Sequence, residues 1–271
     1  MTGPPLSAER ARFRAEYGAH RAAEGRTTSR EELLALPYLG SGPLARQWQV
    51  RARSFDTFLG RVLGPLAAEA GRPLQLLDLG AGNGWLCYRV ALAGHRAVAL
   101  DLRSDGIDGL GAAGPFLEAV PTGVRRVVAS FDALPLDRAG FDLGVFNAAL
   151  HYALDLAAVL HEACRVIRPR GRLVILDSPF YTRAADGEAM VAEKHRAAPE
   201  RFGARADVLM ALPFVEYLTR QRLELASAGL GLAWHRHRVR YPLWYEARPL
   251  MSWLRGHRRP SRFDVWETRT P

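Results

Sequence analysis

Apolar positions follow two different periodicities that meet near residue 70. Upstream, they recur at helical spacing among charged residues. A first helix is predicted from Ser7, as its cap, toward Ala23, and Ser29 with Glu32 three positions on has the spacing of a capping box opening a second. A third is predicted over 43–63, carrying Trp48, Phe55, Phe58, Leu59, Val62 and Leu63, with Gly64-Pro65 stopping or kinking it. From Pro73 onward, short apolar runs alternate with helical stretches, the rhythm of βαβ units. Strands are predicted at 74–79, 97–100, 126–129, 143–146 and 173–176, and helices at 84–92, 108–119 and 156–167, the last ending before Pro169-Arg170-Gly171. Runs that are apolar on both faces suit a buried parallel sheet. Beyond them come helices at 187–195 and 214–228 and two strands, 232–241 and 262–268.

The pattern divides the chain into a helical cap (1–70) and an α/β domain (71–271), with 177–213 as an insertion after the fifth predicted strand. No apolar run approaches the roughly 20 residues of a membrane span. The N-terminal stretch lacks the apolar core of a secretory signal, so the expectation is a cytoplasmic protein of undetermined oligomeric state. Cys87 and Cys164 sit among apolar neighbours in predicted helices and read as core residues. Neither they nor the histidines have metal-ligand spacing, so no metal is expected. The net charge of +9 would suit a nucleic-acid partner. All the cations except Lys194 are arginine, however, and so one-sided a usage follows genome composition as readily as phosphate binding.

The strongest chemical signal is Leu76-Leu77-Asp78-Leu79-Gly80-Ala81-Gly82-Asn83-Gly84, a strand entering a turn with three alternating glycines and then a helix. Glycine is required where backbone turns through unusual φ or approaches a ligand closely. The next apolar run ends in Asp101-Leu102, placing a carboxylate at a neighbouring strand end, where it can reach a ribose diol. A dinucleotide fold would prefer Gly-x-Gly-x-x-Gly, which seats a pyrophosphate on a helix N-terminus.

The spacing Asp78-x-Gly80-x-Gly82-x-Gly84 instead resembles the first motif of class I S-adenosylmethionine-dependent methyltransferases, and Asp101 resembles their ribose-binding acid. The resemblance runs from about residue 74 to 176 and implies a doubly wound, mostly parallel seven-stranded sheet with S-adenosylmethionine as cofactor. It assigns cofactor contacts to Asp78, Gly80, Ala81, Gly82, Asn83, Gly84, Asp101 and Leu102. The donor's ammonium tolerates Asp78, which favours it over NAD. Many relatives end the third strand in an acid that accepts from the adenine amino group. Alignment on Leu134-Pro135 puts Ser130 there, with Asp132 two residues on; Asp132 is the favoured adenine contact and Phe131 its apolar support, the other reading being that Asp132 starts a turn.

The stretch Asn147-Ala148-Ala149-Leu150-His151-Tyr152 lacks the Pro-Pro signature of nucleobase amino-methyltransferases and looks like the small-molecule branch. Asn147 is expected to support cofactor or loop backbone. His151 is either a base for an acceptor proton, its reference pKa being about 6.5, or a packing residue on the next helix. Asp177-Ser178 faces the same edge, and Tyr181 is a weaker candidate for the acceptor pocket. Arg51 or Arg53 in the cap could meet the donor's carboxylate. The arginine and aromatic residues of 235–259 suit single-stranded RNA or, more simply, a partly exposed strand. The expected function is methyl transfer to a small organic acceptor. An RNA methyltransferase, an NAD-dependent oxidoreductase and a noncatalytic donor-binding protein are the rivals.

Overall fold

The computed structural model describes residues 4–23 and 29–271. Four helices precede the sheet: α1 (Pro4–Ala23), α2 (Arg30–Ala35), α3 (Ala45–Phe58) and, after a π turn at Leu59–Leu63, α4 (Gly64–Ala70). Ser29 and Glu32 form the reciprocal capping box that their spacing predicts. One expectation fails here and another is met in its weaker form. α1 opens at Pro4, so Ser7 lies inside its first turn and not at its cap; Pro needs no N–H partner at a helix start. Gly64-Pro65 interrupts the third helix without stopping it: regular α geometry gives way to the π turn just before the pair, and the helix resumes to Ala70.

The sheet contains β1 (Gln75–Leu79), β2 (Arg96–Asp101), β3 (Val124–Val128), β4 (Phe141–Asn147), β5 (Ile167–Leu176), β6 (His235–His237) and β7 (Val265–Arg269). Their order is β3-β2-β1-β4-β5-β7-β6, with the first five parallel and β7 and β6 antiparallel. The chain reverses its direction of sheet growth between β1 and β4, the switch point at which ligands bind in such sheets. Successive strand residues feed two cores. Leu76, Val145, Val174 and Leu176 pack with α3 and with α5 (Trp85–Leu92), while Leu77, Leu79, Phe146, Leu173 and Ile175 face α7 (Leu156–Val166). α7 buries Leu156, Val159, Leu160, Ala163 and Val166 along one stripe, and its cap is Asp155, which accepts from Ala158 N–H. Each such Leu or Val contributes about 1.5–3 kcal/mol by leaving water.

A 3₁₀ turn and the short α6 (Gly114–Ala119) replace the single helix expected at 108–119. The helix expected at 187–195 is longer, α8 (Ala184–Phe202), and α9 (Ala206–Met210) follows. The helix expected over 214–228 is only α10 (Arg220–Ala226), capped by Thr219. Its first part is extended because tertiary hydrogen bonds outcompete helical ones: Val215 and Glu216 donate to the carbonyls of Ala153 and His151, and Leu218 to Pro179. α11 (Leu243–Glu246) and α12 (Arg248–Leu254) then lead to β7. Both cysteines are free; Cys87 is buried in α5, and Cys164 in α7 is half-buried. Among the described residues no helix is long and apolar enough to cross a membrane, and no cluster of side chains suits a metal ion.

Candidate functional site

At the switch point, a cleft of about 1120 Å³, open to solvent, runs along the carboxyl ends of β1, β2 and β4. The glycine turn forms its floor. Gly80 has φ +82, and a Cβ there would stand 2.5 Å from the Ala149 Cβ, so neither backbone angle nor space admits a side chain. The N–H groups of Gly80 and Ala81 both reach the Leu100 carbonyl (2.8 and 3.0 Å), tying the turn to β2. Gly82 donates to one oxygen of Asp101 (2.8 Å) and Arg103 N–H to the other (2.7 Å). The carboxylate is thus fixed in orientation with lone pairs still turned to the cleft. Burial pushes its pKa up, against those two N–H bonds and the Arg103 charge.

Asn147 ends β4, buried, with its Oδ1 unpartnered in the cleft wall. Ala148 follows at φ +54, a conformation L residues avoid, and turns the chain sharply while its N–H bonds the Leu176 carbonyl. Ala81, Asn83, Leu102, Ser130, Phe131 and Asp132 line the same cleft. Asp132 is hydrogen-bonded by Ser130 and ion-paired with Arg10. Burial raises its pKa, but those contacts outweigh burial and hold it below the usual value.

Asp78 and Gly84 stand apart from the wall. Asp78 lies wholly buried behind the turn, with Cys87 Sγ 3.8 Å from one oxygen and no partner for the other; burial raises its pKa strongly. Gly84 occupies the left-handed N-cap of α5 (φ +82). His151 is half-buried outside the wall, its ring 4.3 Å from that of Tyr152 and its Nδ1 3.5 Å from Ser178 Oγ. Tyr181 packs on Tyr217 and accepts from Arg258, also outside the wall. Arg51 lines the cleft and Arg53 does not.

The sequence reading missed the cleft's outer wall. Arg10, Phe13, Arg14 and Tyr17 of α1 share one helical face, with the i, i+3, i+4, i+7 spacing that was the available signal. Arg14 donates to the Leu102 carbonyl (3.2 Å), Tyr17 and Tyr152 share a hydrogen bond (2.9 Å), and Phe13 and Tyr152 meet Phe214 edge-on.

A second cavity, about 600 Å³ and open to solvent, lies beyond Arg51, which lines both. Asp177, the residue after β5, lies in its wall at φ +50, buried, with Oδ1 unpartnered. Desolvation raises its pKa to about 6, against the Arg51 charge and a bond from Ser54. Some arginines of the basic C-terminal stretch are paired internally: Arg236 and Arg262 with Asp264, and Arg258 with Glu193.

Comparison with known proteins bears on this geometry. A family model described as "Methyltransferase domain" matches residues 77–175, the stretch from the middle of β1 to near the end of β5. The malonyl-[acyl-carrier protein] O-methyltransferase of Hahella chejuensis is 33% identical over 141 residues, 48% of this chain and 48% of that protein. The chain spans about half the length of the curated relatives it matches. Among solved structures, geranyl diphosphate C-methyltransferase from Streptomyces coelicolor A3(2) superposes with a TM-score of 0.59 at 14% identity, covering 88% of this chain and 84% of that one. An S-adenosylmethionine-dependent methyltransferase from Mesorhizobium loti gives 0.50 at 23% identity, covering 76% and 96%. These two likenesses show the fold.

Proposed function

We propose that the chain is a class I S-adenosylmethionine-dependent methyltransferase and that it transfers a methyl group to a small organic acceptor held beside the cleft. The observation that carries this reading is the side-chain-free cradle at Gly80 beside the pre-oriented carboxylate of Asp101. The residues present fit the donor. Asp101 accepts from the ribose hydroxyls. Bare backbone at Gly80 and Gly82 admits the amino-acid portion, whose ammonium the orphaned Asn147 Oδ1 accepts from and whose carboxylate Arg51 balances. Phe131 and Leu102 supply apolar contact to the adenine, and Asp132 accepts from its amino group.

When bound, S-adenosylmethionine supplies a sulfonium methyl that passes to a nucleophile by in-line displacement. The chain's own contribution is to hold acceptor and methyl in line and to exclude water. The aromatic wall of Phe13, Tyr17, Tyr152 and Phe214 serves the second purpose. His151 lines neither cavity, and we read it as a positioning residue that steadies Tyr152 and Ser178, not as the proton acceptor. Buried Asp78 supports the turn from behind.

The test is incubation of the protein with isotopically labelled donor and a cell metabolite extract, read by mass spectrometry. A labelled gain of one methylene unit on a small metabolite is expected. Labelling confined to RNA, or no donor binding at all, overturns the reading.

A further inference from the structure

The second cavity is built for a ligand that nothing above assigns. Its walls are the guanidinium groups of Arg46, Arg51 and Arg248, the rings of Trp244, Tyr245 and Phe263, and the buried Asp177. Arg51 is set against Asp177 and the donor's carboxylate, which leaves Arg46 and Arg248 as a surplus of positive charge in a concave apolar setting, where charge is felt more strongly than on an open surface. Arg46 and Arg248 form no ion pair among the described residues; they lie over the faces of Trp244 (5.7 Å) and Tyr245 (4.4 Å). The Trp244 ring is pinned by a hydrogen bond from its Nε1 to Gln49 (3.1 Å). Asp177 points an unpartnered oxygen into this setting from a backbone angle that Asp tolerates better than most residues. A buried polar atom without a partner is costly unless something supplies one.

Position ties the cavity to the chemistry. Asn147 and Leu176 are register partners on β4 and β5, so Asp177 follows beside Ala148, at the strand ends that hold the donor. Arg51 is common to both cavities.

We infer that the second cavity is the acceptor pocket and takes a planar organic anion: its carboxylate or phosphate is held by Arg46 and Arg248, its body lies against Trp244 and Tyr245, and a hydrogen-bond donor on it meets Asp177. The inference rests on the methyltransferase reading and narrows its substrate class.

The test uses the full chain saturated with S-adenosylhomocysteine and titrated calorimetrically with 4-hydroxybenzoate, phenyl phosphate and the neutral 4-hydroxybenzyl alcohol. The anions bind at least about tenfold more tightly than the alcohol, and the tighter of the two identifies the headgroup. Replacing Arg46→Gln and Arg248→Gln together weakens anion binding about tenfold or more and leaves S-adenosylhomocysteine affinity unchanged, which also shows that the variant is folded. Equal binding of the neutral probe, no binding of either anion, or anion binding indifferent to the two substitutions overturns the inference while the methyltransferase reading stands. Failure of the wild-type protein to bind S-adenosylhomocysteine overturns both.

Discussion

The two cavities that share Arg51 are made in opposite ways. The floor of the proposed donor cleft is a backbone site: a glycine turn and one carboxylate locked by two N–H groups, all at strand ends held by the sheet. The second cavity is a side-chain site, assembled from α3, α11, α12, the residue after β5 and Phe263. Backbone sites suit a ligand that does not vary, because their geometry is fixed by the fold. Side-chain sites change by single substitutions without disturbing the sheet, as selection among acceptors requires.

The contrast breaks first if the glycine turn tolerates a side chain. Gly80→Val combines a forbidden φ with a clash 2.5 Å from Ala149, and donor binding is expected to disappear in calorimetry; affinity within tenfold of wild type would show that the floor is not tight. Next in size is Asp177→Asn. The folded pKa of about 6 lies above the ordinary 3.8, so the folded state resists ionisation. The resulting destabilisation is absent below about pH 4, grows as pH rises to 6 and is constant above, about 3 kcal/mol in all. Asp177→Asn should therefore raise the melting temperature at pH 8 and leave it unchanged at pH 4; no difference at pH 8 would mean that the carboxylate is compensated.

Asp101→Ala removes charge-assisted contacts to the ribose and should weaken S-adenosylhomocysteine binding by about 2 kcal/mol, near 30-fold, with unchanged affinity contradicting its role. The smallest effect is expected from His151→Gln: turnover within about threefold of wild type and an unshifted pH profile. A general base contributes at least about a hundredfold, so a loss of that size with an altered profile would return His151 to proton transfer.

The same difference explains what was legible in the sequence. The strands and the glycine turn could be read because their constraints are local: two-faced apolar runs, and glycines where only glycine fits. Asp101 followed from the fold's connectivity. The face of α1 had a local signature in its i, i+3, i+4, i+7 spacing, but what it meets, like the second cavity, was not legible, since Arg10 meets Asp132, and Arg46 meets Trp244, across spans of sequence that no local pattern links. The 214–219 segment failed for a related reason. Phe214, Val215, Tyr217 and Thr219 themselves favour extended backbone, and the carbonyls of Ala153, His151 and Pro179 hold the segment there.

A crystal soaked with S-adenosylhomocysteine tests the central claim most directly. The account predicts density along the carboxyl ends of β1, β2 and β4, with both ribose hydroxyls within hydrogen-bond reach of Asp101 and the amino-acid portion over Gly80. A cleft that stays empty at saturating ligand, or density in which Asp101 touches no sugar, would contradict it.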